Sequence, residues 1–261
     1  MSKIGPSPTS DRRSLFGLGT VRMPKTADVV AARLRTTILA QGIAPGTPLP
    51  GEKELITEFK VSRASIREAL RILEAEGIIE VRRGVRGGVF TAAPSAHRLT
   101  RGLATLLAYR QVPLSHLLDM RSLLEPEAAG LAAEKASAEE REHLLELARS
   151  SHNNDMVDHV DFHDEVARLS GNGLLSLFIT AMRDIVAEVG LATNLPEPAL
   201  KATKRAHVQI AQAIASANGD LARKSMERHM RAYTSQMLAA CEADDPIVSW
   251  VHPETYGMPI F

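Results

Sequence analysis

The 261-residue sequence contains one cysteine, Cys241, and this scarcity excludes an internal disulfide framework. A lone thiol is consistent with a reducing cytosol, so we expect a cytoplasmic protein. No run of about 18 apolar residues is present, and we therefore expect no helical membrane span. Residues 1–25 lack the apolar core and cleavage pattern of a secretion signal, and we interpret them as a largely disordered arm.

The formal net charge of the chain is zero, but its charged residues are unevenly distributed along the sequence. Residues 1–98 contain 16 lysines and arginines against 9 acidic residues, whereas the remainder contains 15 against 22. A basic first part joined to an acidic remainder is typical of a nucleic-acid-binding head on a body that does not touch DNA. The length allows two ordinary domains, each with its own core.

The segment Pro45–Glu80 has the pattern of a helix-turn-helix. After a short helix with apolar spacing, Ser62 can cap a second helix that has an inward apolar stripe. Arg63 and Arg67 lie on the outward side of this second helix, where a recognition helix presents side chains to the major groove. Arginine suits this position because its planar fork can reach guanine O6 and N7 together.

The stretch that follows, residues 77–90, has two short β-branched runs around a tip rich in glycine and arginine. This pattern is typical of a β-hairpin. A wing of this kind places small residues and arginines against phosphates and the narrow minor groove. Upstream, Ala27–Ala40 has helical apolar spacing and would pack behind the other two helices. We therefore predict a winged helix-turn-helix over residues 26–92.

This region resembles the N-terminal domain of GntR-family bacterial transcription regulators, on the residues Pro45–Glu52 and Val61–Leu70. The resemblance implies that Arg63 and Arg67 contact bases or phosphates and that Gly84 approaches the minor groove. Lys53 lies where family members often carry an arginine directed at the DNA backbone. The complete set of predicted DNA-contacting residues is Lys53, Ser62, Arg63, Ser65, Arg67, Arg82, Arg83, Gly84 and Arg86.

From about Leu99 onward the sequence has helical periodicity almost throughout, and proline and glycine breaks divide it into some six or seven segments. Alternation of β-branched residues is absent there, which indicates an all-α bundle. We predict a mainly α protein in which a connector helix spans residues 93–110. The bundle then spans 111–242, and a C-terminal tail spans 243–261.

Four histidines of the bundle lie at positions that predict a metal site. His159 and His163 are four residues apart and therefore share one apolar face of a helix. His207 and His229 lie among apolar residues on two other segments. Neutral imidazole is the commonest protein ligand for zinc and similar ions, although buried structural histidines are an alternative interpretation.

The bundle resembles the FCD ligand-binding domain of one large GntR subfamily, over roughly residues 100–242. Four stretches carry this resemblance: Arg121–Ala129, Asp161–Asn172, His207–Ile214 and Gly219–Met230. Many members bind a divalent metal through one aspartate and three histidines. By resemblance His163, His207 and His229 occupy the histidine positions, and His159 replaces the aspartate. Four nitrogen donors would favour zinc, with nickel or another transition metal as alternatives.

The same resemblance implies an effector, because a small carboxylate bridges the metal and an arginine in such domains. We expect a small carboxylate or a sugar acid here, with Arg121 as the arginine. Glu125 lies four residues after Arg121 and is an equally good partner for it. Asn172 either lines the effector pocket or caps a turn.

These features together predict a metabolite-responsive transcription repressor. A homodimer would place two recognition helices on a palindromic operator in double-stranded DNA, and effector binding would alter their spacing. One alternative is a constitutive DNA-binding protein whose histidines are structural. A helical metalloenzyme is disfavoured, because Glu165 is two residues past His163 and would face away from the metal.

Overall fold

The computed structural model describes residues 24–84, 87–150, 156–193 and 196–240, without the side chains of 156–161 and 188–193. The chain divides into two compact units between Pro94 and Ser95. The predicted N-terminal arm, apart from its last two residues, and the predicted C-terminal tail lie outside these ranges, as does Cys241. Within the described ranges, none of the helices combines the length and the apolar character that crossing a bilayer requires.

The first unit consists of three helices followed by a two-stranded antiparallel hairpin. Its elements are α1 (Thr26–Ala40), α2 (Glu52–Phe59), α3 (Arg63–Glu76), β1 (Ile79–Arg82) and β2 (Gly88–Thr91). The inward stripe of α3 is buried against α1 and α2, and Leu55 of α2 is 1% exposed at the centre of this core. The order of elements is that of a winged helix-turn-helix, as the sequence predicts.

Local signals determine where α3 begins and ends. The Ser62 hydroxyl caps the helix by accepting a hydrogen bond from the backbone N–H of Ser65 at 3.1 Å. Gly77 ends it in the left-handed conformation, with φ 74°, which glycine adopts at little cost. The chain then enters β1 directly, and the hairpin register pairs Ile79 with Thr91 and Arg82 with Gly88.

The second unit is all-helical in its described part, which confirms the predicted mainly α class. Its elements are α4 (Ala96–Tyr109), α5 (Leu114–Lys135), α6 (Ala138–Ser150), α7 (Met156–Leu169), α8 (Gly173–Thr193), α9 (Glu197–Ala215) and α10 (Gly219–Ala240). The connector helix α4 packs against α8. It therefore belongs to the same unit as the bundle.

Helix α5 lies at the centre of the bundle and contacts α7, α8, α9 and α10. Four alanines of α5 are almost completely buried, and their small side chains allow neighbouring helices to approach closely: Ala128, Ala129, Ala132 and Ala133. Phe162 of α7, Ile210 of α9 and Met226 of α10 complete this core. The bundle therefore holds α7, α9 and α10 around α5, and each of these three helices carries a candidate metal-binding histidine.

Candidate nucleic-acid interface and metal centre

The start of α3 presents two arginines to solvent. The side chains of Arg63 and Arg67 are 72% and 58% exposed. Both approach one carboxylate, that of Glu52 at the start of α2, with Nε–O separations of 3.4 Å and 3.8 Å. These exposed pairs are weak, so DNA phosphates or base edges can replace Glu52 as partners of the arginines.

Two predicted DNA-contacting serines have a structural role in the same turn. The Ser62 and Ser65 hydroxyls are 2.9 Å apart, and Ser62 also caps α3. Lys53 is exposed on α2. The cap fixes the position of the first turn of α3, from which Arg63 projects.

The wing carries its arginines in two different settings. Arg82 packs over the Phe90 ring, with its guanidinium carbon 4.4 Å from the ring centroid, and donates to Glu80 at 3.1 Å. Arg83 is exposed and precedes Gly84, whose φ of 104° suits a glycine at a tight tip. The remaining predicted wing residue, Arg86, lies outside the described residues.

Three of the four predicted metal-binding histidines converge inside the bundle. His163 of α7, His207 of α9 and His229 of α10 are 6%, 4% and 5% exposed. The Nε2 atom of His229 lies 3.3 Å from Nε2 of His207 and 3.4 Å from Nε2 of His163. One ring nitrogen from each residue lies within 4.8 Å of the other two, an arrangement that can hold a metal ion.

The chemistry of these nitrogens fits a bound cation. Neutral imidazole carries a lone pair on one ring nitrogen, and the Nε2 atoms of His163 and His207 both lie close enough to His229 Nε2 for the three lone pairs to be shared by one cation. Zinc bound tetrahedrally at the usual Zn–N distance separates its nitrogen ligands by about 3.3–3.4 Å. The two separations that involve His229 Nε2, 3.3 Å and 3.4 Å, fall in this range, and the His163 and His207 ligand atoms lie within 4.8 Å of each other.

A carboxylate orients one of the three rings. Nδ1 of His163 makes a short hydrogen bond with Oε2 of Glu125, which leaves Nε2 directed at the other histidines. This is the carboxylate–histidine arrangement that supports metal ligands in proteins. Burial alone would raise the pKa of Glu125, but attraction to Arg121 and His163 and their hydrogen bonds lower it to about 2.

The predicted effector arginine is part of the same network. Arg121 is 3% exposed, and its Nε donates to Oε1 of Glu125 at 2.6 Å. Its guanidinium carbon lies 5.4 Å from the centroid of the Tyr233 ring. The structure therefore shows the carboxylate partner that the sequence offered for Arg121, and an anionic effector must compete with Glu125 or share the guanidinium with it.

A cavity of about 140 Å³ between α9 and α10 reaches the cluster at His229. Its lining includes Tyr233 and several polar side chains: Thr203, Gln209, Ser225, Arg228 and Gln236. The Phe162 ring stacks on His207 with centroids 4.2 Å apart. The cluster is thus packed against an aromatic ring at His207 and borders a small polar space at His229.

Two predicted site residues, Asn172 and His159, are not among the side chains that the structure shows at this cluster. Asn172 is exposed, and its side-chain oxygen accepts a hydrogen bond from the backbone N–H of Leu175 at 3.2 Å. It therefore caps the start of α8, the second of its two expected roles. His159 lies on α7 four residues before His163, and its side chain lies outside the described part of the structure.

Glu125 is the member of the site that sequence reasoning did not assign to the metal centre. Its spacing of four residues from Arg121 predicted an ion pair between these two side chains within one helix. Its second contact, with His163, joins residues 38 positions apart on different helices. No local pattern reports such a contact.

Comparisons with known proteins agree with both units. Residues 26–89 match the family of bacterial regulatory proteins described as the gntR family, and residues 116–232 match the FCD domain. The chain is 28% identical over 247 residues to the HTH-type transcriptional repressor NanR of Cronobacter sakazakii, covering 87% of this chain and 92% of that protein. NanR of an Enterobacter species is 28% identical over 222 residues, covering 81% of this chain and 85% of that protein.

A solved structure shows the same architecture. Streptococcus agalactiae GntR has a TM-score of 0.60 and 27% sequence identity, covering 80% of this chain and 99% of that chain. The two family matches together cover more than half of the chain, in the order in which the two units occur. The chain therefore belongs to the GntR family of bacterial regulatory proteins with an FCD domain, and it is a DNA-binding transcription regulator rather than an enzyme.

Proposed function

We propose that this regulator is a transcription repressor that senses a small acid at a zinc centre in its FCD domain. The observation that carries this proposal is the convergence of the His163, His207 and His229 Nε2 atoms beside the buried Arg121–Glu125 pair. Relatives named as repressors support the direction of control.

Zinc is the metal that the donor set favours. Three neutral imidazoles suit borderline ions of the zinc, nickel and copper group better than hard ions, which prefer oxygen ligands. Zinc prefers four ligands, so either His159 or a carboxylate of the effector can supply the fourth. The Glu125 hydrogen bond holds the His163 ring in the orientation and tautomer that a metal ligand needs.

The effector is a small carboxylate or sugar acid in this proposal. The cavity beside His229 has a volume of about 140 Å³, which limits the ligand to a small molecule. Its polar lining suits a ligand with hydroxyl groups. Arg121 lies next to the cluster and supplies a buried positive charge. To bind this charge, the acid must compete with the carboxylate of Glu125.

DNA binding is assigned to the outward side of α3 and to the wing. Arg63 and Arg67 would read bases or phosphates in the major groove, and Arg83 with Gly84 would approach the minor groove. A homodimer would present two such heads to the half-sites of a palindromic operator inside the cell. Lys53 would add a contact to the DNA backbone.

A DNA-binding titration tests this function. The probe is a labelled duplex from upstream of the protein's own gene, with a random-sequence duplex of equal length as the control. Binding is measured on chelator-treated protein, on the same protein with zinc restored, and then with a panel of carboxylic and sugar acids. Release of the specific duplex by one acid, only with zinc present, supports the proposal. Specific binding that ignores both zinc and acids indicates a constitutive DNA-binding protein.

A further inference from the structure

A chain of ion pairs and hydrogen bonds, centred on the buried Arg183, joins three helices of the C-terminal unit through residues that do not belong to the histidine cluster. Arg183 of α8 is 7% exposed, and its Nη1 lies 2.9 Å from Oδ2 of Asp164 on α7. Its Nη2 donates to Oδ1 of the neighbouring Asp184 at 2.5 Å. The other oxygen of Asp184 accepts a hydrogen bond from the Thr100 hydroxyl of α4 at 3.0 Å. The contacts therefore run from α7 through α8 to α4.

Both ends of this chain lie at informative positions. Asp164 directly follows His163, so a movement of α7 that adjusts His163 at the cluster also moves Asp164. Thr100 is fully buried on α4, at 0% exposure. Helix α4 begins at Ala96 and is the first element after Pro94, where the two units divide. A shift of α4 therefore acts on the chain segment that leads to the DNA-binding unit.

Stability alone does not account for this arrangement. The Nε of Arg183 is buried and has no hydrogen-bond partner within the described residues, and a buried N–H without a partner costs free energy. Met182 and Ile185, which lie on either side of Arg183 and Asp184 in α8, belong to an apolar core. Replacing a buried ion pair by apolar side chains is often neutral or stabilising. A hydrogen-bond and salt-bridge network can carry coupling between two sites when the helices it joins have two discrete arrangements.

We propose that Arg183 is a positioning residue that couples the histidine cluster to α4, through Asp164 on one side and through Asp184 and Thr100 on the other. This inference rests on the proposed function, because it requires a ligand at the cluster. A ligand changes DNA binding only if it favours one arrangement of the protein over another. The ionic chain carries that preference from α7 to α4.

The test uses the full-length chain with Thr100→Val, which removes the hydroxyl and keeps the size of the side chain. Thr105→Val is the matched control, because Thr105 is exposed on the same helix and its hydroxyl donates to the Arg101 carbonyl of its own helix. Thr100→Ser restores a hydroxyl. Arg183→Gln removes the centre of the chain, and Thr100→Val keeps the test decisive if that variant does not fold.

Three quantities are measured for each variant: zinc affinity, affinity of the chelated protein for the upstream duplex, and the ratio of duplex affinities with and without zinc plus the releasing acid. Hydrogen exchange of the α4 amides is followed with and without zinc. For Thr100→Val we expect the zinc affinity and the duplex affinity of the chelated protein to stay within about twofold of wild type. The ratio of duplex affinities with and without zinc plus acid should fall toward one, and zinc should no longer alter hydrogen exchange in α4. Thr105→Val and Thr100→Ser should behave as wild type.

The two proposals fail in different ways. If Thr100→Val keeps both the wild-type ratio and the wild-type exchange response of α4, the coupling through Arg183 is wrong and the zinc sensor stands. If zinc binds to wild type without changing exchange in α4, the coupling is likewise wrong. If wild type binds no zinc, or if its affinity for the duplex ignores zinc and acids, the sensor itself is refuted and the coupling with it.

Discussion

Glu125→Gln is the substitution that tests the buried network most severely. In the structure one carboxylate serves two partners: Oε1 accepts from Arg121 Nε at 2.6 Å, and Oε2 pairs with His163 Nδ1. The amide of glutamine has nearly the same shape, but it has no charge and only one acceptor oxygen. The variant therefore leaves either Arg121 or His163 without its acceptor, in a site where both side chains are almost fully buried.

The magnitude follows from the pKa of Glu125. Its fall from 4.5 to about 2 corresponds to roughly 3 kcal/mol of stabilisation of the charged form. Removing one partner of a buried ion pair costs about 3–5 kcal/mol in other proteins, which is the same range. We therefore expect the free energy of unfolding to fall by about 3 kcal/mol. Zinc affinity should fall by about 10–100-fold, the usual cost of losing a carboxylate that supports a ligating histidine.

The pH dependence has a definite sign. Because the folded-state pKa of Glu125 lies below its ordinary value of 4.5, its stabilisation is fully present above that value and is lost as the pH falls toward about 2. Wild type should thus be more stable than Glu125→Gln at neutral pH, where Glu125 is fully charged. This difference in the free energy of unfolding should shrink as the pH falls below about 4.5.

Urea unfolding of the chelated proteins, followed by circular dichroism, measures the first effect, and competition with a chromophoric chelator measures the second. Glu127→Gln is the matched control on the same helix, because Glu127 is 61% exposed in its pair with Arg223. That control should cost at most about 1 kcal/mol. A Glu125→Gln variant as stable as Glu127→Gln, with wild-type zinc affinity, would refute the role given to Glu125.

Three further substitutions have expected outcomes. His207→Ala should lower zinc affinity, measured by chelator competition, by at least tenfold. His143→Ala, at an exposed position, should leave zinc affinity unchanged. Equal zinc affinity of the two variants contradicts the proposal that the histidine cluster binds zinc. Arg67→Ala should weaken binding to the upstream duplex by about 1–3 kcal/mol in an anisotropy titration if it reads a base, and unchanged affinity removes it from the interface. Glu52→Gln should strengthen binding to random-sequence duplex by up to about fivefold, because exposed ion pairs contribute at most about 1 kcal/mol. Glu58→Gln is the control. Equal duplex affinities of the two variants mean that Glu52 does not compete with DNA for the arginines.

The N-terminal unit could be predicted closely because its signals are local. The Ser62 cap, the apolar stripe of α3 and the glycine-rich turn of the wing each act within a few residues. The helical nature of the second unit followed in the same way from periodicity and breaks. What local signals could not show is that the Glu52 carboxylate approaches Arg63 and Arg67, because that contact depends on how α2 packs against α3.

The histidine cluster was predictable only in part, for a related reason. Helical spacing indicated that His163, His207 and His229 face an interior, and the resemblance to FCD domains grouped them. The structure supplies the distances between their Nε2 atoms. The choice between Glu125 and an effector as partner of Arg121 stayed open in the sequence, because both are carboxylates and spacing cannot separate them. The pairing of Glu125 with His163 arises from the packing of α5 against α7.

The central claim is that the three buried histidines form a metal centre, and zinc K-edge X-ray absorption of the zinc-loaded protein tests it most directly. The account predicts one tightly bound zinc per chain with at least three imidazole nitrogens at about 2.0–2.1 Å. A spectrum from which imidazole scattering is missing, or a protein that retains no zinc after gel filtration, would contradict it.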